Sequence, residues 1–158
     1  KEANDYDIMT NATPEQILEC FHNCRTLTNG VKHGTVGVVI DKDVVEVTTY
    51  RIDGQYSDNR HPDKVIFSNR LCDDLSRRDF TVNAIACSMK EEIVDIFSGV
   101  SDIDNKIIKC VGNPDTRFKE DALRILRALR FSCVLDFDID NETAMSIHKN
   151  AKLLKNIS

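Results

Sequence analysis

The sequence predicts an α+β fold in which strands and helices mix up to about residue 111 and helices follow alone. Short β-branched or apolar runs indicate strands at residues 33–40, 44–50, 93–97 and 107–111. Apolar side chains then recur at helical spacing between residues 118 and 133. Mixed elements followed by helices are typical of an α+β layer that leads into a helical segment.

The composition is that of an ordinary globular protein. The chain has 158 residues, of which 41% are hydrophobic and 30% charged, and its net charge is −5. No apolar run approaches the roughly 18 residues of a membrane span, and no signal-peptide pattern follows Lys1. The acidic balance argues against a simple basic nucleic-acid binder but is compatible with an enzyme that carries a local basic patch. Six scattered cysteines without a CxxC pair predict reduced thiols and a cytoplasmic location.

The first elements carry clear start signals. Residues 1–9 predict a loop that leads into a short strand. Thr13 is the expected N-cap of a helix reaching about Cys24, with Pro14 at its first position and Gln16 completing a capping box. The strands on either side of residue 42 then form a hairpin.

The remaining elements are predicted from turn-forming residues and from the spacing of apolar residues. Residues 51–63 contain Gly, Asn, Asp and Pro and predict a loop. Residues 71–89 predict a helix in two pieces, and residues 98–106 form a polar stretch. Helical periodicity after residue 113 is interrupted by a loop at residues 136–140.

Two acidic residues at i,i+2 lie in the first predicted strand. On a strand, Asp5 and Asp7 point to one face with Cα atoms about 6–7 Å apart. That spacing suits Mg²⁺ ions that clamp a phosphoryl transfer. The same pair spacing recurs in turns, where Asp is favoured for backbone reasons. Glu46, on the return strand of the hairpin, is either a solvated carboxylate or a third acid facing this pair.

A second polar group follows the first piece of the predicted helix at residues 71–89. Arg77 and Arg78 are either solvated or positioned to grip a phosphate. Asp79 is explained as an N-cap of the second helical piece. Asn83 lies four residues further on, on the same predicted face, where a capping asparagine is the simpler interpretation.

A stripe of charge begins the next helix. Asp121 and Arg124 share a face, which indicates either an i,i+3 ion pair or a set of acceptors and donors for a nucleobase edge. Arg127 and Arg130 continue at three-residue steps, where they could face a triphosphate. Spacing alone leaves both interpretations open.

Taken together, these segments resemble the class II nucleotidyltransferases, which include tRNA CCA-adding enzymes and bacterial poly(A) polymerases of the polymerase-β superfamily. Residues 4–10 look like the catalytic DxDxxT motif, and residues 74–84 resemble the RRDxxxNA motif. Residues 95–102 are similar to the D…GG…D hinge, with Ser98 in place of its first Gly. Residues 120–127 match the EDxxRxxR motif.

The resemblance implies the architecture and the site. It implies a polymerase-β-like head over residues 1–112, with a mixed and mainly antiparallel sheet, and an incomplete all-helical neck over residues 113–158. It implies that Asp5 and Asp7 bind Mg²⁺ and that Glu46 assists. The implied nucleotide-binding residues are Arg77, Arg78, Asp79, Asn83, Asp121, Arg124, Arg127 and Arg130.

Within that set the resemblance implies separate tasks. Asp79 would hold the ribose 2′-OH, Asp121 and Arg124 would pair with cytosine or adenine, and the last two arginines would hold the triphosphate. The implied reaction adds CMP and AMP from CTP and ATP to the 3′ end of tRNA without a template, by two-metal phosphoryl transfer. A poly(A) polymerase, or an enzyme adding only CC or only A, would carry the same motifs. A non-catalytic nucleotide-binding module and a plain α+β interaction domain are the alternatives from other classes.

The resemblance also implies segments that this sequence does not contain. In the family, a strand–helix pair and a GGxVRD loop precede the position of Lys1, and a body and tail that hold tRNA follow the neck. We therefore expect a fragment of a larger enzyme that binds nucleotide weakly and turns over little or not at all. No feature of the sequence predicts its oligomeric state.

Overall fold

The computed structural model describes residues 7–60 and 62–157, and it has the predicted α+β fold. The chain forms two compact units. The first consists of residues 1–53 and 65–74, and the second of residues 54–64 and 75–158. The head–neck boundary after residue 112 stays a prediction.

The first unit is built on a four-stranded sheet with strand order β1-β4-β3-β2. The strands are β1 (Asp7–Thr10), β2 (Thr26–Leu27), β3 (Thr35–Ile40) and β4 (Asp43–Thr49). β1 runs parallel to β4, whereas β2 and β4 run antiparallel to β3. The predicted hairpin is therefore present, and it supplies the centre of the sheet.

One helix covers this sheet. It is α1 (Pro14–Cys20), and Thr13 and Gln16 form the predicted capping box. Ile17 packs with the buried β3 and β4 side chains Val36, Val38 and Val47. The helix is shorter than predicted, because Phe21 already adopts the C-cap conformation.

The loop predicted over residues 51–63 is partly a strand. β5 (Arg51–Asp53) pairs antiparallel with β6 (Val65–Phe67), and a long connection separates them. The turn residues that follow β5 led to the prediction of a loop. The strand was not predicted because its partner, β6, lies more than ten positions away. α2 (Leu71–Ser76) follows β6.

The prediction of helix over residues 71–89 is wrong for the second half of that range. After α2 the chain forms a 3₁₀ turn at Thr81–Asn83 and then β7 (Ile85–Cys87). β7 pairs antiparallel with β8 (Ile93–Asp95), so tertiary pairing overrides the local helical pattern. Asp79 is not the N-cap residue of the turn, because Phe80 occupies that position.

The second unit continues with mostly helical elements. They are α3 (Gly99–Asp104), β9 (Ile107–Ile108), α4 (Pro114–Glu120), α5 (Leu123–Leu135), β10 (Asp138–Ile139), α6 (Asn141–Asn150) and a 3₁₀ helix (Ala151–Asn156). β10 pairs parallel with β9, so the loop predicted at residues 136–140 contains a two-residue strand. The N-cap residue of α3, Ser98, adopts the left-handed conformation, with φ 60°.

The hydrophobic core of the second unit combines side chains from several of its elements. Its buried members are Phe80, Ile108, Cys110, Phe118, Ile125 and Ala128. Of the apolar residues whose spacing predicted helix here, Phe118, Ala122 and Ile125 are buried, whereas Leu126 and Leu129 stay 46% and 45% exposed. The buried stripe of α5 is therefore narrower than its apolar sequence suggests.

Two further features concern the hydrophobicity of the helices and the state of the cysteines. None of the helices in the described part of the chain has the length and hydrophobicity that crossing a bilayer requires. All six cysteines are free. Burial raises the pKa of the Cys110 thiol to about 12, so this thiol stays protonated and unreactive at neutral pH.

A carboxylate in α4 fastens that helix to α6. Asp115 accepts hydrogen bonds from the Asn150 amide at 2.9 Å, from the Ser146 hydroxyl and from the Lys149 ammonium group. The bond from Lys149, followed by the bond from Ser146, lowers the Asp115 pKa from 3.8 to about 2.

The lowered pKa of Asp115 makes the stability of the fold depend on pH. Because the folded pKa lies below the unfolded value, Asp115 stabilises the fold above about pH 3.8, and that contribution is lost as the pH falls through about 2. We expect Asp115→Asn to lower the urea midpoint at pH 7, and its difference from the unsubstituted chain to shrink between pH 4 and pH 2. Asp136→Asn is the control, because Asp136 is exposed and its left-handed backbone suits asparagine. A constant difference across that pH range would contradict the assignment.

Candidate functional site

Two carboxylates lie side by side on the sheet of the first unit. Asp7 of β1 stands directly opposite Glu46 of β4 in the strand register, so both side chains leave the same face of adjacent strands about 4.8 Å apart. Both residues are exposed. The third predicted acid, Asp5, lies outside the described residues. Within the described ranges, no group of three or more metal-ligating side chains occurs.

The chemistry of the pair fits a hard divalent cation. Carboxylate oxygens are the protein ligands that Mg²⁺ prefers, and Mg²⁺ keeps several waters, so one or two carboxylates suffice to hold it. Neither Asp7 nor Glu46 is committed to an ion pair with a described residue. Both are therefore available as ligands.

The second unit contains a polar cleft of about 430 Å³. It is lined by Arg77, Arg78, Asp79, Asn83, Asp121, Arg124, Arg127 and Phe131. All of these except Phe131 were predicted from the sequence as nucleotide-binding residues. They come from two stretches more than thirty positions apart. The segment after α2 and the start of α5 form its two walls.

Three hydrogen bonds hold the carboxylate of Asp79 in the cleft. Its side chain is buried, and Oδ1 accepts hydrogen bonds from the Phe80 backbone N–H at 2.9 Å and from the Asn83 amide at 3.0 Å. Its other oxygen, Oδ2, accepts from Arg127 Nε at 2.6 Å. A carboxylate has about four acceptor positions, so one remains on Oδ2.

Arg124 is held in place by a second acid. Its Nη1 donates to Glu120 Oε2 at 2.9 Å, and its Nη2 donates to the Arg77 carbonyl at 3.0 Å. The other oxygen of Glu120 binds Arg117 at 2.7 Å. The ion pair of Arg124 is therefore made with Glu120, and not with Asp121 as the i,i+3 interpretation expected.

Asp121 follows α4 and turns the chain into α5. Its Oδ1 accepts from the Leu123 backbone N–H at 2.9 Å. Burial raises its pKa, and that hydrogen bond together with the positive charges of Arg124, Arg60 and Arg127 opposes the rise. Asp121 is thus a partly desolvated acceptor next to guanidinium groups.

The sequence patterns did not identify Arg117, Glu120 or Phe131 as functional candidates. Arg117 and Glu120 orient Arg124, and Phe131 lies beneath Arg127 and Arg130. A signal for Glu120 was present, because acid and arginine at i,i+4 pair on a helix. Phe131, four residues after Arg127, follows the same spacing rule.

The arrangement can bind an anion and a hydrogen-bonding edge together. Four arginines meet two aspartates around a space large enough for a nucleoside. Guanidinium groups recognise phosphate oxygens by charge-assisted hydrogen bonds. Asp79 and Asp121 each keep acceptor capacity for hydroxyl or amino groups.

Comparison with known proteins places the chain in a family. Residues 1–109 match the family model described as "Poly A polymerase head domain". The chain is 45% identical to the CCA-adding enzyme of Lactobacillus helveticus and 47% identical to that of Enterococcus faecalis, over its whole length in both cases. It spans 39% and 38% of those two relatives.

Solved structures give the same result. The fold matches the crystal structure of the Bacillus stearothermophilus CCA-adding enzyme in complex with CTP, with a TM-score of 0.89 and 42% identity. That match covers 100% of this chain and 37% of the other. A tRNA nucleotidyltransferase complexed with a primer tRNA and an incoming ATP analog matches with a TM-score of 0.71 and 27% identity, over 97% of this chain and 43% of that one. The predicted polymerase-β-like head is confirmed.

The role of Glu120 can be tested without a ligand. We expect Glu120→Ala to lower the free energy of unfolding by about 1–3 kcal/mol, because it leaves the buried guanidinium of Arg124 without its anionic partner. Glu19→Ala, at an exposed position of α1, is the matched control and should change little. Equal effects of the two substitutions in urea titrations would show that Glu120 holds nothing in place.

Proposed function

Because the chain belongs to the family of the poly A polymerase head domain, we propose that it is the catalytic head and the start of the neck of a tRNA nucleotidyltransferase. The proposed reaction adds CMP and AMP from CTP and ATP to the 3′ end of tRNA. The observation that carries the proposal is the single cleft that gathers four arginines with Asp79, Asn83 and Asp121.

Asp79 suits the recognition of a ribose. Three of its acceptor positions are taken by Phe80, Asn83 and Arg127, and the remaining one can accept a 2′-OH. Because those three donors fix the carboxylate, it needs no reorganisation when the sugar binds. A 2′-deoxynucleotide would leave that position unfilled, which favours ribonucleotides.

Asp121 and Arg124 suit the reading of a base. Asp121 uses one oxygen for the Leu123 N–H, so its other oxygen can accept from an exocyclic amino group. Arg124 is fixed by Glu120 and by the Arg77 carbonyl, which leaves other N–H groups free to donate to ring or carbonyl acceptors. Cytosine and adenine share an amino group next to a ring acceptor, which explains how one pair of residues could accept both.

The remaining residues serve the triphosphate and the metal. We assign Arg78, Arg127 and Arg130 to the phosphates. We assign Asp5 and Asp7, assisted by Glu46, as the carboxylates that would hold Mg²⁺. Bound Mg²⁺ supplies neutralisation of the charge that develops on the transferring phosphoryl group. The task of this chain is then to position the nucleotide, since positioning and charge neutralisation dominate phosphoryl transfer.

Other activities on the same fold remain open as alternatives. A poly(A) polymerase, or an enzyme that adds only CC or only A, would use the same cleft, and the name of the family model is compatible with the first. A nucleotide-binding module without catalysis would need the cleft but not the Asp7–Glu46 pair. The identity to CCA-adding enzymes favours the main proposal. A cytoplasmic location is part of this proposal.

Binding of the four nucleotides tests the base-reading role directly. We expect calorimetric titration in Mg²⁺ to give tighter binding of CTP and ATP than of GTP and UTP. Asp121→Ala is expected to reduce the discrimination between CTP and UTP by about tenfold or more, because a good bidentate base contact contributes about 1–3 kcal/mol. Its effect on the mean affinity for the triphosphates should be smaller.

The matched control for Asp121→Ala removes a carboxylate outside the cleft. Asp104→Ala removes an exposed carboxylate of α3 that lies outside the cleft, and it should leave the affinities and their ratios unchanged. Selectivity that survives Asp121→Ala would defeat the base-reading role. Equal binding of all four nucleotides by the unsubstituted chain would indicate a phosphate site that does not read the base.

A further inference from the structure

One aromatic side chain of α5 contacts two of the arginines assigned to the triphosphate. The Cζ of Arg127 lies over the Phe131 ring, 5.0 Å from its centroid, and the Cζ of Arg130 lies 5.8 Å from the same centroid. Both distances are within the range of cation–π attraction. Phe131 also lines the cleft.

The ring itself is fixed from the core side. Phe131 meets Phe80 edge to face, with centroids 5.9 Å apart and an interplanar angle of 86°. Phe80 is completely buried and belongs to the hydrophobic core of the second unit. The ring of Phe131 is therefore held by the core and is partly buried against it.

Arg127 is constrained by two contacts of different kinds. Its Nε donates to Asp79 Oδ2, and its guanidinium group rests on Phe131. No hydrogen bond joins its terminal amino groups, or the guanidinium of Arg130, to any described residue. Those donors are available to a ligand, while the ion pair and the ring restrict how the Arg127 side chain can turn.

Two like charges three positions apart on one helix repel each other. A shared aromatic ring offsets part of this repulsion, since the negative quadrupole of its faces attracts both cations. It also limits the rotamers of two long side chains, which lowers the entropy lost when an anion binds. A leucine could fill much of the same space in the core. It could neither attract the two cations nor restrict their side chains in this way.

We propose that Phe131 is a positioning residue that holds Arg127 and Arg130 as a paired anion-binding surface for the nucleotide triphosphate. The choice of anion rests on the proposed function. Phe131 acts through the two arginines and reads no part of the base. Its loss should therefore weaken the binding of every nucleoside triphosphate to the same degree.

Three variants separate positioning from packing. Phe131→Leu keeps an apolar side chain against the core and removes the aromatic face, whereas Phe131→Tyr keeps that face. Phe137→Leu is the matched control, because Phe137 is also partly buried against the same core cluster. We expect the two leucine variants to lose similar stability, and only Phe131→Leu to affect the arginines.

The first measurement needs no ligand. In ¹H–¹⁵N spectra of the full chain, the Arg127 Nε–Hε signal should be shifted upfield by the ring and should exchange slowly because of its bond to Asp79. Phe131→Leu should lose the upfield shift and accelerate the exchange, while Phe131→Tyr and Phe137→Leu should retain both. Unchanged Arg127 signals in Phe131→Leu would overturn the proposal.

The second measurement uses inorganic tripolyphosphate, CTP and UTP as probes. Phe131→Leu should weaken the binding of all three by about three- to tenfold and leave the CTP-to-UTP ratio unchanged, and Phe131→Tyr should restore the affinity. A changed ratio, or equal losses in Phe131→Leu and Phe137→Leu, would overturn the positioning role. If the unsubstituted chain binds tripolyphosphate but neither nucleotide, the proposed function fails and the paired anion surface stands. If it binds none of the three, the anion-binding role is overturned as well.

Discussion

The candidate nucleotide site depends on one buried carboxylate. Asp79 binds the Phe80 backbone, the Asn83 side chain and Arg127 of α5, and so it joins the 3₁₀ turn to the helix that carries the charged residues. A buried carboxylate with three donors is costly to leave unpaired, so these partners hold one another in place. The position of a single acid thus fixes both walls of the cleft.

Helix α5 connects that acid to the core and to the proposed ligand. Ile125 and Ala128 fix its rotation by packing against Phe118 and Ile108. That rotation directs Arg124 and Arg127 to the cleft, where Glu120 and Asp79 orient them. Hydrophobic packing therefore sets the coarse geometry, and charge-assisted hydrogen bonds set the fine geometry.

Much of this arrangement could be predicted from sequence, because its residues lie in short motifs with fixed spacing. The pairing of Asp7 with Glu46 was one of two interpretations that the sequence left open for Glu46, and only the strand register shows it. The β5 and β7 strands were missed because each has three residues and depends on a partner that local patterns do not reveal. Phe131 was missed because aromatic residues on a helix usually belong to the core, and only the contact with two arginines distinguishes it.

Asp79 and Arg127 hold the cleft together as a pair, and a double-mutant cycle measures the coupling between them. Asp79→Asn, Arg127→Met and the double variant would be compared by urea unfolding. A coupling free energy of about 1 kcal/mol or more is expected, since contacting residues in one network couple by about 0.5–3 kcal/mol. The 39% exposure of the Arg127 side chain argues for the lower half of that range. Additive effects of the two substitutions would show that the two side chains do not hold each other in place.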